Sequence, residues 1–316
     1  MIILIVGPTC SGKSELAIRV AQNINAEIIN GDAFQVYQEL DIGTAKPTKK
    51  EREIVPHHLF DFVSPNKEYN VKDYQSDARK VIKELQSGHK NIIIVGGTGL
   101  YQKATLYDFN FGDEDNEVDM SDLDDLSNEE LYEVLKKLDF EATRTIHMNN
   151  RKRVLRAIEI YRAHGVTKSS IIQSQNHKPI YEDIVFVGLD VERASLYDAI
   201  NKRVDKMMEC GLLEEVKNLK DKYDTTKHAF QAIGYKELLS YLNGEISFES
   251  AIELIKKNSR NYAKRQMTYF KHQMPVVWFN DKNEAYAYIL GKVKQHDTNV
   301  WSKYFVNWWR RFCQTK

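Results

Sequence analysis

The first fourteen residues leave few folds open to this chain. A short apolar run, residues 1–6, leads directly into Gly7-Pro8-Thr9-Cys10-Ser11-Gly12-Lys13-Ser14, and a helix-type segment, residues 15–21, follows. This is the pattern G-x-x-x-x-G-K-[ST] between a strand and a helix, the setting that identifies a phosphate-binding P-loop. It predicts an α/β protein whose sheet begins at the first residues of the chain.

The residue types in this loop suit a bound phosphate. Glycines let the backbone turn so tightly that its N–H groups converge on an anion, and the helix N-terminus adds a positive dipole end. Lys13 supplies a mobile charge, and the Ser14 hydroxyl can ligate a Mg²⁺ that bridges two phosphate oxygens. The loop predicts binding of a di- or triphosphate. It does not decide whether that group donates phosphoryl or leaves.

Composition excludes several other classes. The chain has 316 residues, with 45 Lys and Arg against 45 Asp and Glu, so net charge favours no particular partner. Cys10, Cys210 and Cys313 are far apart and lack metal-site spacing, which indicates reduced thiols. No apolar run reaches membrane-spanning length. We expect a cytoplasmic protein without a membrane segment.

Two further strand ends carry polar groups. Residues 26–30 read as a strand that ends at Asp32, and the apolar run 91–95 ends in Gly96-Gly97-Thr98-Gly99. Because functional groups gather at the carboxyl ends of parallel strands, Asp32 is expected beside the phosphate loop, although a helix-capping or turn role stays open. Residues 41–47 read as a loop closing on the same site.

The α/β rhythm is interrupted between about residues 109 and 178. Ser127 begins a capping box for a helix at 131–138, and a second amphipathic helix, 151–164, ends at Gly165. This region is acidic at 113–125 and basic at 144–178. A strand at 184–189 follows, then predicted helices at 196–210, 212–223, 235–242 and 248–274, and a strand at 276–279. The aromatic segment 301–312 predicts a terminal amphipathic helix.

Two other patterns have more than one interpretation. His57 and His58 are adjacent, so on a strand they point to opposite faces, which favours a structural role over a shared metal. Arg260, Lys264, Met267, Thr268 and Lys271 recur at helical spacing within 256–271, a stretch without acids. This basic stripe fits either a solvated face or a phosphate contact.

Taken in order, these residues resemble the tRNA dimethylallyltransferases (tRNA isopentenyltransferases) over about residues 2–279. The resemblance rests on the P-loop, Asp32 with Gln35-Val36-Tyr37, residues 41–47, Pro56-His57-His58, residues 96–101, Arg153 with Arg156-Ala157, Gln231-Ala232-Ile233-Gly234-Tyr235-Lys236, and Tyr262-Ala263-Lys264-Arg265-Gln266. It implies a P-loop NTPase-like parallel sheet flanked by helices (1–109 and 180–295), a helical tRNA-gripping insertion (110–179) and an aromatic tail (296–316).

The resemblance also implies the reaction. A dimethylallyl group moves from dimethylallyl pyrophosphate to the exocyclic amine of the adenosine 3′ of a tRNA anticodon. Asp32 would be the general base, since an adenine amine is a poor nucleophile, and the P-loop with Mg²⁺ would stabilise the leaving pyrophosphate. The expected catalytic residues are Thr9, Lys13, Ser14 and Asp32. The expected partners are the tRNA anticodon stem-loop and the prenyl donor, and the protein is expected to be a monomer.

The expected tRNA contacts, carried over motif by motif, fall into five groups. They are Asp32, Ala33, Phe34 and Gln35, with Gln35 offering a bidentate amide to the extruded adenine; Thr98; Lys152, Arg153, Val154, Leu155 and Arg156; Gln231, Ala232, Ile233, Gly234, Tyr235 and Lys236; and Lys264, Arg265, Gln266, Met267, Thr268, Tyr269, Phe270 and Lys271.

The chain departs from the family pattern at several positions. Ala33 replaces a usual Ser, Tyr269 a common Trp, and His147-Met148-Asn149-Asn150 the usual His-Pro-Asn-Asp. The P-loop alone also fits a small-molecule kinase or an adenylate prenyltransferase, and a non-catalytic RNA-binding protein is a further alternative. The basic insertion and the stripe at Lys264 favour a polymeric acceptor.

Overall fold

The computed structural model describes residues 1–109, 111, 118–175 and 178–314, with backbone only for residues 299–314. The chain divides into two compact units: a core unit, Met1–Thr105 with Tyr181–Lys316, and an insertion unit, Leu106–Ile180. The predicted insertion, 110–179, falls within the second unit. Part of the acidic segment, residues 112–117, lies outside the described residues.

The core unit is built on one parallel sheet. Its strands are β1 Ile2–Val6, β2 Ala26–Asn30, β3 His57–His58, β4 Asn91–Val95, β5 Ile184–Leu189 and β6 Val277–Phe279, in the spatial order β3-β2-β4-β1-β5-β6. Every pairing is parallel. All five residues of β1 are buried, as expected for a central strand covered on both faces. The predicted α/β fold is confirmed.

Helices account for most of the remaining chain. They are α1 Lys13–Ile24, α2 Lys49–Ile54, α3 Val71–Ser87, α4 Gly99–Leu106, α5 Asn128–Leu138, α6 Phe140–Thr143, α7 Arg151–His164, α8 Lys168–Ser174, α9 Arg193–Glu209, α10 Leu212–Lys222, α11 Tyr235–Leu242, α12 Phe248–Gln273 and α13 Lys282–Gln314. Among the described helices, none combines the length and apolarity needed to cross a bilayer.

Apolar clusters lie against the sheet and among the helices around it. In one, Leu16 and Val20 of α1 and Ile289 of α13 pack with β1. In the other, the segment after β2 packs with α3 and with α9, α10, α11 and α12. The sheet's carboxyl edge is therefore left between a phosphate loop and a helical wall.

The insertion unit is a small helical body with its own core. Leu131 and Leu135 of α5 pack against Val154 and Ile158 of α7, and all four are fully buried. The chain enters and leaves through paired backbone, with Asp108 N donating to Lys178 O at 2.9 Å. A small separate core of this kind lets the unit be inserted into the α/β order without breaking the sheet.

Charges of opposite sign meet inside the insertion unit. Arg162 Nη1 and Nη2 donate to the Asp122 carboxylate at 2.6 and 2.7 Å. Arg151 donates to the backbone carbonyls of Leu123, Leu126 and Asp124. The part of the acidic segment that the structure describes is therefore held by basic residues of α7.

Local signals placed several helix ends correctly. The Ser127 capping box is present, with Glu130 N donating to Ser127 Oγ, so α5 begins at Asn128, one turn earlier than the predicted residue 131. Gly165 terminates α7 with φ 68°. The predicted terminal helix at 301–312 is confirmed as helix, and it is the last part of α13, which runs unbroken from Lys282 to Gln314.

Candidate active site

Three strand ends meet at one cavity of about 590 Å³. The P-loop follows β1, Asp32 follows β2, and Gly97 follows β4, and all three line it. The opposite wall comes from α9, α12 and the segment before α11. Because the sheet is parallel, groups far apart in sequence converge at its carboxyl edge.

The P-loop has the geometry of an anion cradle. Gly12 lies at φ 84° before α1, and the Ncap makes no side-chain hydrogen bond, so the first N–H groups of this helix are open to a ligand. Lys13 Nζ donates to Pro8 O at 2.6 Å, which folds the side chain over the loop. A methyl group added at Gly7 would lie 2.7 Å from Leu189 O, so only glycine fits there.

The cavity perturbs the charges on both sides. The pKa of Lys13 is lowered to about 8, first by burial and then by the nearby Arg203, while Cys10 and Asp32 oppose this shift. Burial raises the pKa of Asp32, opposed by N–H groups of Phe34 and Gln35 and then by Lys13 and Arg203. Asp32 is partly accessible from the cavity and enclosed by protein on its other sides. Such an environment is typical of a functional site.

Hydrogen bonds within and beside its own loop fix the position of Asp32. The buried side chain of Asn30 accepts from Asp32 N at 2.8 Å and donates to Asp32 O at 2.9 Å. Phe34 N donates to Asp32 Oδ1 at 2.9 Å, and Ala33 N donates to Thr98 Oγ1 at 3.0 Å. The carboxylate is thus aimed by its own loop. Thr98, which follows β4, stabilises that loop by accepting the hydrogen bond from Ala33 N.

Gln266 connects the P-loop to the end of β4. Its Oε1 accepts from Thr9 N at 2.9 Å, and its Nε2 donates to Gly97 O at 3.0 Å. Tyr262 also donates to Gly97 O, at 3.1 Å. A methyl group at Gly97 would lie 2.1 Å from Gln266 Nε2. Gln266 was predicted as a tRNA contact; its buried amide is instead used within the protein to hold two loops of the cavity.

Arg203 is a site residue that the sequence analysis missed. Its Nη1 donates to Thr9 Oγ1 at 3.0 Å, and its guanidinium lines the cavity beside the P-loop. The available signal was spacing: Ile200, Arg203, Val204 and Met207 recur at i, i+3, i+4 and i+7 and all line the cavity. An arginine within such a stripe indicates a charge turned towards the interior.

Gln35 faces the cavity with its amide already oriented. Its Nε2 donates to Thr44 O at 3.0 Å and to Ala45 O at 3.1 Å. With two carbonyl oxygens beside it, this atom must be the nitrogen. Both amide hydrogens are therefore in use, and only Oε1 remains for a ligand. The predicted bidentate amide is reduced to a single acceptor.

The other predicted tRNA contacts divide by location. The cavity is lined by Phe34, Gln231, Ala232, Ile233, Lys236 and Arg265. On α12, Lys264 and Thr268 are exposed, Met267 and Tyr269 are half-buried, and Lys271 pairs with Asp190 at 2.8 Å. On α7, Lys152, Arg153 and Arg156 are exposed and Leu155 is half-buried. Gly234, at φ 103°, precedes α11.

Three further predicted tRNA contacts need correction. The side chains of Val154, Tyr235 and Phe270 are fully buried in hydrophobic cores, where they pack against the protein and present no surface to an RNA. Motif matching carries whole segments and does not separate the inward residues of a helix from its outward ones. Periodicity separates them only once the helix faces are known.

The adjacent histidines lie on β3 and have partners. His58 Nε2 pairs with Glu27 at 2.8 Å, and His57 Nδ1 lies 2.6 Å from Val55 O. Burial lowers the pKa of His57. Within the described residues, no three His, Cys, Asp or Glu side chains are grouped as metal ligands. A structural role fits both residues, as predicted.

Fold and cavity together define a P-loop α/β protein with an anion cradle and a carboxylate facing one space. Comparison with known proteins identifies the family. The family model described as IPP transferase matches residues 35–273. The chain is 44% identical over 301 residues to the tRNA dimethylallyltransferase of Anoxybacillus flavithermus, covering 92% of this chain and 96% of that protein. It is 43% identical over 307 residues to the Bacillus subtilis tRNA dimethylallyltransferase, covering 93% and 98%.

Solved structures agree. The tRNA delta(2)-isopentenylpyrophosphate transferase of Staphylococcus epidermidis matches with a TM-score of 0.70 and 41% identity, over 93% of this chain and 99% of that one. A eukaryotic dimethylallyltransferase acting on tRNA matches with a TM-score of 0.74 and 30% identity, over 88% and 73%. The chain belongs to the IPP transferase family.

Proposed function

We propose that this protein transfers a dimethylallyl group from dimethylallyl pyrophosphate to N6 of the adenosine 3′ of the anticodon in tRNA. The single observation that carries the proposal is the placement of Asp32 and the P-loop on one cavity of about 590 Å³. That volume lies within the range of small-molecule sites. The names of its relatives supply the substrate class: they are tRNA dimethylallyltransferases.

Asp32 acts as the general base in this proposal. The amine lone pair is delocalised into the purine ring, so a carboxylate that orients the N–H and accepts its proton raises the rate, typically by a factor of about 10²–10⁴. The raised pKa of Asp32 makes it a stronger proton acceptor than an exposed aspartate. Asn30 and the N–H of Phe34 keep it aimed.

The P-loop side stabilises the leaving group. As the bond between the allylic carbon and oxygen breaks, negative charge grows on the pyrophosphate. The open N–H groups at the start of α1, Lys13 and Arg203 meet that charge in a site already oriented for it. Thr9 takes part through Arg203 and Gln266, which hold its hydroxyl and its N–H.

The residues present fit a Mg²⁺. Ser14 is exposed in the first turn of α1, and among the described residues no carboxylate cluster offers a protein-only metal site. Mg²⁺ often takes most of its ligands from substrate phosphates and water, so a single hydroxyl at Ser14 suffices. When bound, the ion would neutralise part of the pyrophosphate charge.

The acceptor enters as an extruded base. A purine inside a stem-loop cannot reach a recessed carboxylate, so it must leave its stack. Phe34 and Gln35 line the cavity beside Asp32 and are placed to contact it. The exposed basic residues of α7 and α12 are proposed to bind the tRNA backbone. We propose a cytoplasmic, monomeric enzyme.

The test is mass analysis of tRNA nucleosides after incubation with the protein, labelled dimethylallyl pyrophosphate and Mg²⁺. Label should enter the adenosine 3′ of the anticodon and be absent from a tRNA with another base there. Free AMP and ATP-dependent phosphoryl transfer are assayed alongside. Prenylated AMP without prenylated tRNA, or kinase activity alone, would contradict the proposal.

A further inference from the structure

The segment 41–46 contributes to the cavity wall and is held partly by its own hydrogen bonds, from Ala45 N to Ile42 O and from Lys46 N to Asp41 O, both at 3.0 Å. Gly43, Thr44 and Ala45 face the space beside Asp32. Two carbonyls of this segment, those of Thr44 and Ala45, set the amide of Gln35. Residues that fix this segment therefore also fix the orientation in which the Gln35 amide faces a ligand.

Glu215 of α10 holds one end of this segment. Its carboxylate accepts from the backbone N–H of Asp41 at 3.3 Å, of Ile42 at 2.9 and 3.2 Å, and of Gly43 at 3.3 Å. Three successive N–H groups thus converge on one anion. Hydrogen bonds from backbone N–H groups to a charged acceptor are about twice as strong as those between two neutral groups.

Tyr235 completes the arrangement. Its hydroxyl donates to Glu215 Oε1 at 2.5 Å, and its ring lies against Gly43, where an added methyl group would come 2.3 Å from Cε2. Tyr235 is fully buried. The tyrosine therefore fixes the carboxylate and packs on the segment that the carboxylate binds.

We propose that Glu215 is a positioning residue for the acceptor nucleobase. It acts through residues 41–45 on Gln35, and it contacts neither substrate. The inference rests on the proposed function, and it adds to the site a residue 183 positions from Asp32 in sequence. Both carboxylate oxygens accept from donors, so an amide at this position would turn its NH₂ towards N–H groups and lose the arrangement.

The test compares Glu215→Gln with Glu214→Gln. Glu214 is the next residue on the same helix, is exposed, and pairs only on the surface with Lys217 among the contacts described. Both variants lose one charge. In Glu215→Gln, kcat/KM for tRNA should fall about 10- to 100-fold, while KM for dimethylallyl pyrophosphate stays within about twofold. Glu214→Gln should match the wild type in both.

A double-mutant cycle with Gln35→Ala tests the route. If Glu215 acts through Gln35, the losses in kcat/KM for tRNA will not multiply, because Gln35→Ala already removes the group being positioned. Multiplicative losses, or equal losses for donor and tRNA, would overturn the proposal in favour of a purely structural role.

Amide hydrogen exchange separates this proposal from the proposed function. Exchange at residues 41–43 should accelerate in Glu215→Gln and not in Glu214→Gln, whether or not the protein prenylates tRNA. Unchanged exchange would overturn the anchoring role. If Glu215→Gln does not fold, Tyr235→Phe replaces it: the ring against Gly43 remains, one hydrogen bond is lost, and the same selective loss for tRNA is expected at smaller size.

Discussion

Two loops face each other across the cavity, and they are held in different ways. The P-loop takes its turn from its own residues: Lys13 folds back to Pro8, and Gly12 supplies the left-handed turn before α1. Gln266 of α12 and Arg203 of α9 then hold it at Thr9. The segment 41–46 adds to its own turn hydrogen bonds an anchor on another helix, Glu215 of α10, whose carboxylate accepts from its N–H groups. Lys46, at its end, donates to Tyr37 O at 2.8 Å and pairs with Asp61 at 2.7 Å.

This difference separates the two substrates in the proposed reaction. A change in the P-loop should act on the donor, because its groups bind the pyrophosphate in the proposed reaction. A change in the anchors of residues 41–46 should act on the acceptor, because these anchors set Gln35. Asp32 lies between the two loops and serves the chemical step itself.

The largest effect is expected at Asp32. Asp32→Asn keeps the size of the side chain but removes the proton acceptor, so the transfer rate should fall by about 10²–10⁴. Single-turnover kinetics with bound tRNA measure it. Binding of tRNA and of donor should each change by less than about threefold. A variant that binds tRNA poorly and keeps its transfer rate would show that Asp32 belongs to the acceptor side alone.

Lys13→Ala should lower the catalytic efficiency with the prenyl donor. Without the ammonium, charge on the departing pyrophosphate is less well stabilised, and kcat/KM for the donor should fall about 10²–10³-fold. The Kd for tRNA should not change. Lys282→Ala is the matched control, because Lys282 places another ammonium beside the P-loop, with its side chain against Gly12 and its charge paired with Glu15. Equal losses in the two variants would mean that general charge near the loop matters, and not the position of Lys13.

Lys46→Ala should weaken the acceptor side and the fold together. The side chain is 1% exposed and pairs with Asp41 and Asp61, so its removal should lower the free energy of unfolding by about 1–3 kcal/mol. With residues 41–46 loosened, kcat/KM for tRNA should fall about tenfold. Denaturant unfolding and steady-state kinetics measure these two quantities. Lys50→Ala, at an exposed position on α2, is the control and should alter neither.

The smallest effect concerns pH and the donor side. Lys13 has a pKa of about 8 because burial disfavours its charge. Its protonated form binds the pyrophosphate, so donor affinity is present below that pKa and is lost as pH rises through it. Affinity should fall about tenfold between about pH 7 and about pH 9. In Lys13→Arg the guanidinium stays charged, so an equal decline in that variant would contradict this origin.

The sequence predicted those elements whose signals are local. The apolar run before Gly7, the capping box at Ser127 and the glycine after His164 each act through neighbours in the chain, and the structure places them as expected. The α/β order, the helical insertion and the family resemblance follow from such signals. The boundaries of α9, α10 and α12 came within a few residues for the same reason.

The sequence did not predict which way individual side chains point. Phe270 and Gln266 belong to one predicted contact segment, yet one fills the core and the other ties the P-loop to β4. Arg203 and Glu215 carry no motif. They matter because folding brings α9 against Thr9 and α10 against residues 41–43.

By itself, then, the sequence determined the α/β class, the anion cradle and the carboxylate expected beside it, because glycine turns, helix caps and the apolar runs of buried strands are written in short stretches of chain. Only the tertiary structure decided which groups complete the cavity. A hydrogen bond such as that from Ile42 N to Glu215 joins residues 173 positions apart, and nothing local at either end specifies the partner.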